Sequence, residues 1–377
     1  MFDLNLLAKK LEGCRSRLEF SFGEVSEATG IKEERLKAFE NAKTEPTGDE
    51  ILILADFFME DYKYFISNQQ SSASENADSL YRQFGGEFTK EDRRAVQEFL
   101  YLCECEQDAW SLLDQQKKAY QLPRRNFNTK NEAETVAMEV RKLLGYKENE
   151  LLENIFDDFR NLGIHIFRRK LGNSNLSGIF IRHPEAGKCV LINYNEDLYR
   201  QNFTLAHEVA HSIFDTEKAY NVSFTKDGKD IKEIRANSFA AGFLMPATAV
   251  KNLKVNQWTD KILIKLASQF KVNIIALLYR LKSLKQISQQ DFEQFKDLKL
   301  QRGQKEDPEL KDLPGKLAIA KMQMLERGLS TAYIRKCHEA YSRALISQTR
   351  LAEMLLTTES ELQELLALFN LKLIYEF

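Results

Sequence analysis

Along most of this 377-residue chain, apolar positions recur every three or four residues, the period of an amphipathic helix. Leu4, Leu7, Ala8 and Leu11 open the pattern. Ser21 and Glu24 have capping-box spacing, so Ser21 starts a second helix and Gly30 ends it. Leu36 and Phe39 mark a third helix, residues 41–46 a turn, and Ile51, Leu54, Ala55 and Phe58 a fourth. Four or five short helices with a helix–Gly–helix step predict a helix-turn-helix bundle over residues 1–68. Residues 67–79 contain no aliphatic side chain larger than Ala and read as a flexible polar linker. Thr89 then caps a long helix striped by Val96, Phe99, Leu100 and Cys103, expected to run to about Gln115.

From Asn131 the period changes. Ala133, Val136, Ala137, Val140 and Leu144 predict a helix that Gly145 terminates, and residues 151–161 a second. Three strand-like runs follow at 164–167, 178–181 and 189–192, after which helical spacing returns. The expected fold class is α+β, mostly helical, with a small antiparallel sheet in one domain and helical domains flanking it. The predicted boundaries are 1–68, 69–130 (linker and long helix), 131–290 and 291–377. The chain is helical again from Asn256, and residues 265–287 and 346–355 suggest helix-turn-helix-like steps. The final module reads as regulatory or dimerising helices, so a homodimer is an expected partner state.

Composition narrows the classes. Apolar residues make up 43%, with 25 Phe and 13 Tyr, which excludes a wholly disordered chain. No apolar run approaches the ~18 residues of a membrane span, and the first residues carry no secretory pattern. Five Cys without framework spacing fit reduced thiols, so a cytoplasmic protein without membrane contact is expected. The net charge is −2, so any nucleic-acid contact must be local.

The candidate chemistry lies in FTLAHEVAHSIFD. His207 and His211 are four residues apart, on one face of a helix. That spacing suits two ligands of one tetrahedral Zn2+. Glu208 stands beside them, where its carboxylate could take a proton from an attacking water. With only five His in the chain, this arrangement is improbable by chance. Thr204 is expected to cap the helix. A catalytic zinc needs a third protein ligand, and DIKEIRANSFAAGFLMP offers Glu233, with Asp230 as local rival. Asn237 lies one turn after Glu233, where its side-chain oxygen could accept the second N–H of a ligand histidine. Two His and one Glu suit zinc, with manganese the alternative. Tyr194, Tyr199, Tyr220 and His165 are unranked candidates for an oxyanion donor, each with packing as the plainer role. The strand at 189–193 could pair with an extended substrate. His338 reads as a surface residue.

The pairing of FTLAHEVAHSIFD with EIRANSFAAGFLMP resembles the ImmA/IrrE family of metallopeptidases over residues 131–285. The resemblance implies a zincin-like minimal peptidase domain of gluzincin type, with His207, His211 and Glu233 as metal ligands, Glu208 as general base, and Asn237 supporting a ligand. It also implies a cytoplasmic site-specific endopeptidase that cleaves a transcriptional repressor or antitoxin-type protein in a stress, mobile-element or phage response. Residues 3–66, through GIKEERLKAFENAKTEPTGDEILILADFF, resemble Cro- and lambda-repressor-like helix-turn-helix domains. That likeness implies operator contacts from Lys32, Arg35 and Lys37. Residues 1–68 nevertheless hold 9 Lys/Arg against 14 Asp/Glu, a net −5, whereas phosphate binding relies on excess Lys and Arg. A docking or dimerising bundle therefore stands beside DNA contact. Two other functions remain: a transcription regulator whose peptidase-like domain senses a signal with little proteolysis, and a toxin–antitoxin or defence component inhibited by its first domain.

Overall fold

A computed structural model describes residues 3–68, 74–114, 129–173, 175–215, 217–224, 230–301, 303 and 305–374. The amino-terminal bundle comprises α1 (Leu4–Arg17), α2 (Phe22–Thr29), α3 (Glu33–Glu40), α4 (Gly48–Phe58) and α5 (Tyr62–Ile66). The Ser21–Glu24 capping box forms, and Gly30 ends α2 at φ 72°, a left-handed conformation that costs Gly nothing. Helix α6 (Ser74–Phe84) occupies part of the stretch read as linker; residues 69–73 of that stretch lie outside the described residues. Helix α7 (Lys90–Leu112) starts at a Thr89–Asp92 capping box, and Gln115 also lies outside the described residues.

Next come α8 (Lys130–Leu143), α9 (Ile155–Asn161), β1 (His165–Arg169), β2 (Leu176–His183) and β3 (Gly187–Asn193). They are followed by α10 (Leu198–Phe214), β4 (Tyr220–Phe224) and α11 (Ile231–Leu244). Four short helices complete this part: α12 (Ala247–Lys251), α13 (Asp260–Phe270), α14 (Ile274–Ser283) and α15 (Gln289–Phe295). The last module is α16 (Gly315–Glu326), α17 (Thr331–Ser342), α18 (Gln348–Met354) and α19 (Glu359–Ala367). Helices α13 and α14 meet at 96° across Lys271 at φ 54°, the helix-turn-helix-like step expected there. Among the described residues no single helix is long and apolar enough to cross a membrane.

The sheet corrects the antiparallel expectation. Its order is β1-β3-β2-β4, with β1 parallel to β3 and the other pairs antiparallel, so it is mixed. The chain passes from β1 to β2 before returning, and β3 inserts between them. The substrate-pairing role expected for residues 189–193 fails with it: both edges of β3 are already hydrogen-bonded, and among the described residues β4, beside α10, is an outer strand of the sheet.

Alternation along the strands divides the sheet between two cores. Ile166, Phe180, Val190 and Ile192 face a core shared with α8–α15. Phe167, Ile179, Ile181, Cys189 and Leu191 face a second core with α6, α7 and α17–α19. A third core holds the amino-terminal bundle together. That bundle is tied to α7: Arg93 Nη1 donates to Arg17 O at 3.0 Å and Gln97 Nε2 to Met59 O at 3.0 Å.

Candidate active site

Helix α10 lies across the sheet because its inward face is small and apolar: Leu205, Ala206, Val209 and Ala210 are buried. It begins at Leu198, six residues before Thr204, with Asp197 as the cap accepting from Tyr199 N. Thr204 is therefore not the cap. Its hydroxyl instead donates to Glu196 Oε2 at 3.2 Å, joining the helix to the loop before it.

His207, His211 and Glu233 converge on one point, with a donor atom from each within 4.8 Å of the others. The two Nε2 atoms are 3.0 Å apart. Glu233 Oε2 lies 3.0 Å from His207 Nε2, and Oε1 lies 3.3 Å from His211 Nε2. The far side of each ring is occupied. His207 Nδ1 is 3.0 Å from Asn237 Oδ1, and His211 Nδ1 is 2.7 Å from Asp215 Oδ2. Those oxygens accept, so each Nδ1 carries a hydrogen and each Nε2 faces inward, where the neutral ring offers its lone pair. Two lone pairs and a carboxylate at such distances repel unless a proton or a metal ion sits among them. The donor set, two imidazoles and one carboxylate, fits a divalent metal of zinc type.

Burial works against a charged imidazolium at His211, but Asp215 and Glu233 outweigh it and raise the ring to about 9. Burial likewise pushes Glu233 up, yet hydrogen bonding to both histidines holds its carboxyl well below the usual range. Asp230 is not in the cluster; it caps α11. Asn237 stands where the sequence put it. Asp215, by contrast, was missed, although it follows His211 by the same four-residue step that relates the histidines. Arg235 Nη2 donates to Asp215 Oδ1 at 2.8 Å, so a chain Arg235–Asp215–His211 orients the second imidazole.

Glu208 is fully buried, and neither carboxylate oxygen has an aligned hydrogen bond. Burial pushes its pKa up, opposed by the two histidines and by the nearby Ser223 hydroxyl on β4. A carboxylate left this bare is a better base than a solvated one. Gly178 on β2 makes the room. A Cβ there would lie 2.8 Å from Thr204 Cγ2, 3.1 Å from Glu208 Cγ and 3.3 Å from Glu208 Oε1. Gly178→Ala should therefore destabilise the fold by ~1–3 kcal/mol, the usual range for overpacking. Urea unfolding checks it, and an unchanged midpoint would mean that α10 yields freely.

The remaining candidates separate cleanly. Tyr199 lines the cleft in front of the cluster, with Arg200, Phe203, Ser223 and Ile275. Tyr220 donates to Gln83 Oε1 at 2.8 Å, Tyr194 lies under the Arg168 guanidinium, and His165 is buried against Trp110 with Nδ1 2.6 Å from Glu106. None of these three lines that cleft. His338 is half-buried, 2.7 Å from Lys372 O. In the amino-terminal bundle Arg35 makes a two-pronged ion pair with Glu50, Lys37 pairs with Glu33 at 2.9 Å, and Lys32 is the residue before α3.

Comparison with known families places this geometry. Residues 159–282 match the Peptidase_M78 family model, described as the IrrE N-terminal-like domain. The match runs from α9 through the sheet and the His207–His211–Glu233 cluster to α14. The match supports a peptidase-type domain over this segment and the ImmA/IrrE resemblance. No curated protein matches the chain.

Proposed function

We propose that this chain is a cytoplasmic, metal-dependent, site-specific endopeptidase acting on a repressor or antitoxin-type protein. The observation that carries the reading is the inward convergence of His207, His211 and Glu233 beside a bare, buried Glu208. His207, His211 and Glu233 would hold the ion, zinc by their chemistry. When bound, such an ion supplies Lewis acidity to the attacking water and the scissile carbonyl. The chain's own residues do the rest. Asn237 and Asp215 fix both rings in the tautomer that offers Nε2. Glu208 takes the water's proton and returns it to the leaving amine. The outer edge of β4, unpaired among the described residues, offers backbone groups to an extended substrate.

The choice of a repressor or antitoxin as substrate rests on the family resemblance. Its test is to incubate purified, metal-loaded protein with candidate repressors, with and without chelator. Cleavage at one position that the chelator stops supports the reading, and intact candidates under both conditions count against it.

The amino-terminal bundle is better suited to docking than to duplex DNA. Two of its three candidate contacts, Arg35 and Lys37, already face carboxylates, and its net charge is −5. Generic DNA affinity should be weak, no tighter than the ~10⁻⁴–10⁻⁶ M usual for non-specific binding at physiological salt. Gel-shift titration with random duplex checks this, and nanomolar binding would favour the regulator reading instead.

A further inference from the structure

The cleft carries a cation that the proposed reaction does not use. Arg200 stands in the first turn of α10, where the helix dipole disfavours positive charge. Among the described residues its one ion-pair partner is Glu196, whose side chain is only 7% exposed. Glu196 is already held by Ser177 Oγ at 2.7 Å and Thr204 Oγ1 at 3.2 Å. Arg200 Nε lies 2.8 Å from Glu196 Oε1 but without the alignment of a hydrogen bond. On the same edge Nη2 reaches Ser177 Oγ at 3.4 Å, and the guanidinium has no further hydrogen-bond partner among the described residues, which leaves its Nη1–Nη2 end open. The side chain is 39% exposed and lines the same cleft as His207. An Arg fork with a free edge is shaped to take a carboxylate.

Position sets the spacing. Arg200 precedes His207 by seven residues, ~10.5 Å along the helix, which is about three residues of extended chain. Resting on the peptidase reading, we infer that Arg200 is a specificity-determining residue that binds a substrate carboxylate about three residues from the scissile bond. That carboxylate is an Asp or Glu side chain, or the end of the substrate chain.

The test uses metal-loaded full-length protein and a proteome-derived peptide library, with free and with amidated C-termini, read by mass spectrometry. Enrichment of Asp or Glu at one position in both sets identifies a side chain; cleavage confined to free termini identifies a terminal carboxylate. A matched pair follows, Glu against Gln at the enriched position, or acid against amide at the terminus. The acid should be cleaved with about tenfold higher kcat/KM, Arg200→Gln should bring the ratio to about one, and Arg200→Lys should keep most of it. Equal rates for the pair in wild type, or an unchanged ratio in Arg200→Gln, overturn the inference while leaving the peptidase reading intact. If the protein cleaves no peptide, the peptidase reading fails, and the inference is decided by fluorescence polarisation with Glu and Gln versions of one labelled amidated peptide. A Kd difference of about tenfold that Arg200→Gln erases upholds it; equal Kd values sink it.

Discussion

Protein carrying Glu208→Gln should retain metal at the wild-type level and cleave its substrate at least ~10²-fold more slowly, the lower end of what general acid–base catalysis contributes. The amide has the shape of the carboxylate, so it fits the slot that Gly178 leaves. Glu208 stands outside the converging cluster, so its loss removes no donor atom. What disappears is a basic oxygen made stronger by burial. Glu233→Gln should behave in the opposite way at the metal. Its oxygens lie 3.0 and 3.3 Å from the imidazole nitrogens, and an amide there brings no charge to offset a divalent ion. Metal and activity should fall together. Elemental analysis after gel filtration and a cleavage assay on the same samples separate base from ligand. Wild-type cleavage by Glu208→Gln, together with full metal in Glu233→Gln, would show both roles to be wrong. If both variants lose cleavage but still support the biological response, the chain acts as a binding module.

The convergence of His207, His211 and Glu233 was legible in the sequence because helix geometry converts spacing directly into direction. His207 and His211 share a face, and Glu233 and Asn237 share another, so two short strings define four positions. Asp215 obeys the same rule and would have been found by extending the four-residue step once more. Other features had no local signal. Thr204 has the side chain of a cap, but Asp197 is the cap because the apolar face of α10 runs further back than the histidine motif. The strand at 187–193 reads the same whether it lies at an edge or inside, since a strand buried on both faces is continuously apolar. Its insertion between β1 and β2 is a long-range pairing that periodicity cannot show. The five-residue β4 is too short to stand out, yet it supplies Ser223 beside Glu208. The polar stretch before α7 shows why composition alone is weak evidence. Ser74 to Phe84 is helical despite its polarity, and Leu80 and Tyr81 at its end are buried in the second core.

His211→Ala should abolish stable metal binding, because only one imidazole and one carboxylate would remain. Asp215→Asn should weaken it by ~10–100-fold, the usual effect of changing the partner of a ligand histidine. The asparagine oxygen can still accept from Nδ1–H, so ring orientation survives. The negative charge that makes His211 a stronger donor is lost, and Arg235 loses its ion pair at 2.8 Å. That second loss separates two explanations. If Asp215 acts only by packing, urea stability without metal should fall and affinity should follow in proportion. If it acts on the ring, affinity measured by competition with a chelator should fall even where the metal-free proteins unfold at similar urea concentrations. An alanine at 215 is the harsher control, since it leaves the Arg235 guanidinium, 9% exposed, beside an unanchored imidazole. Affinity should then fall below that of the asparagine variant. Equal affinity in wild type, Asp215→Asn and Asp215→Ala would show that the Arg235–Asp215–His211 chain has no hold on the metal site.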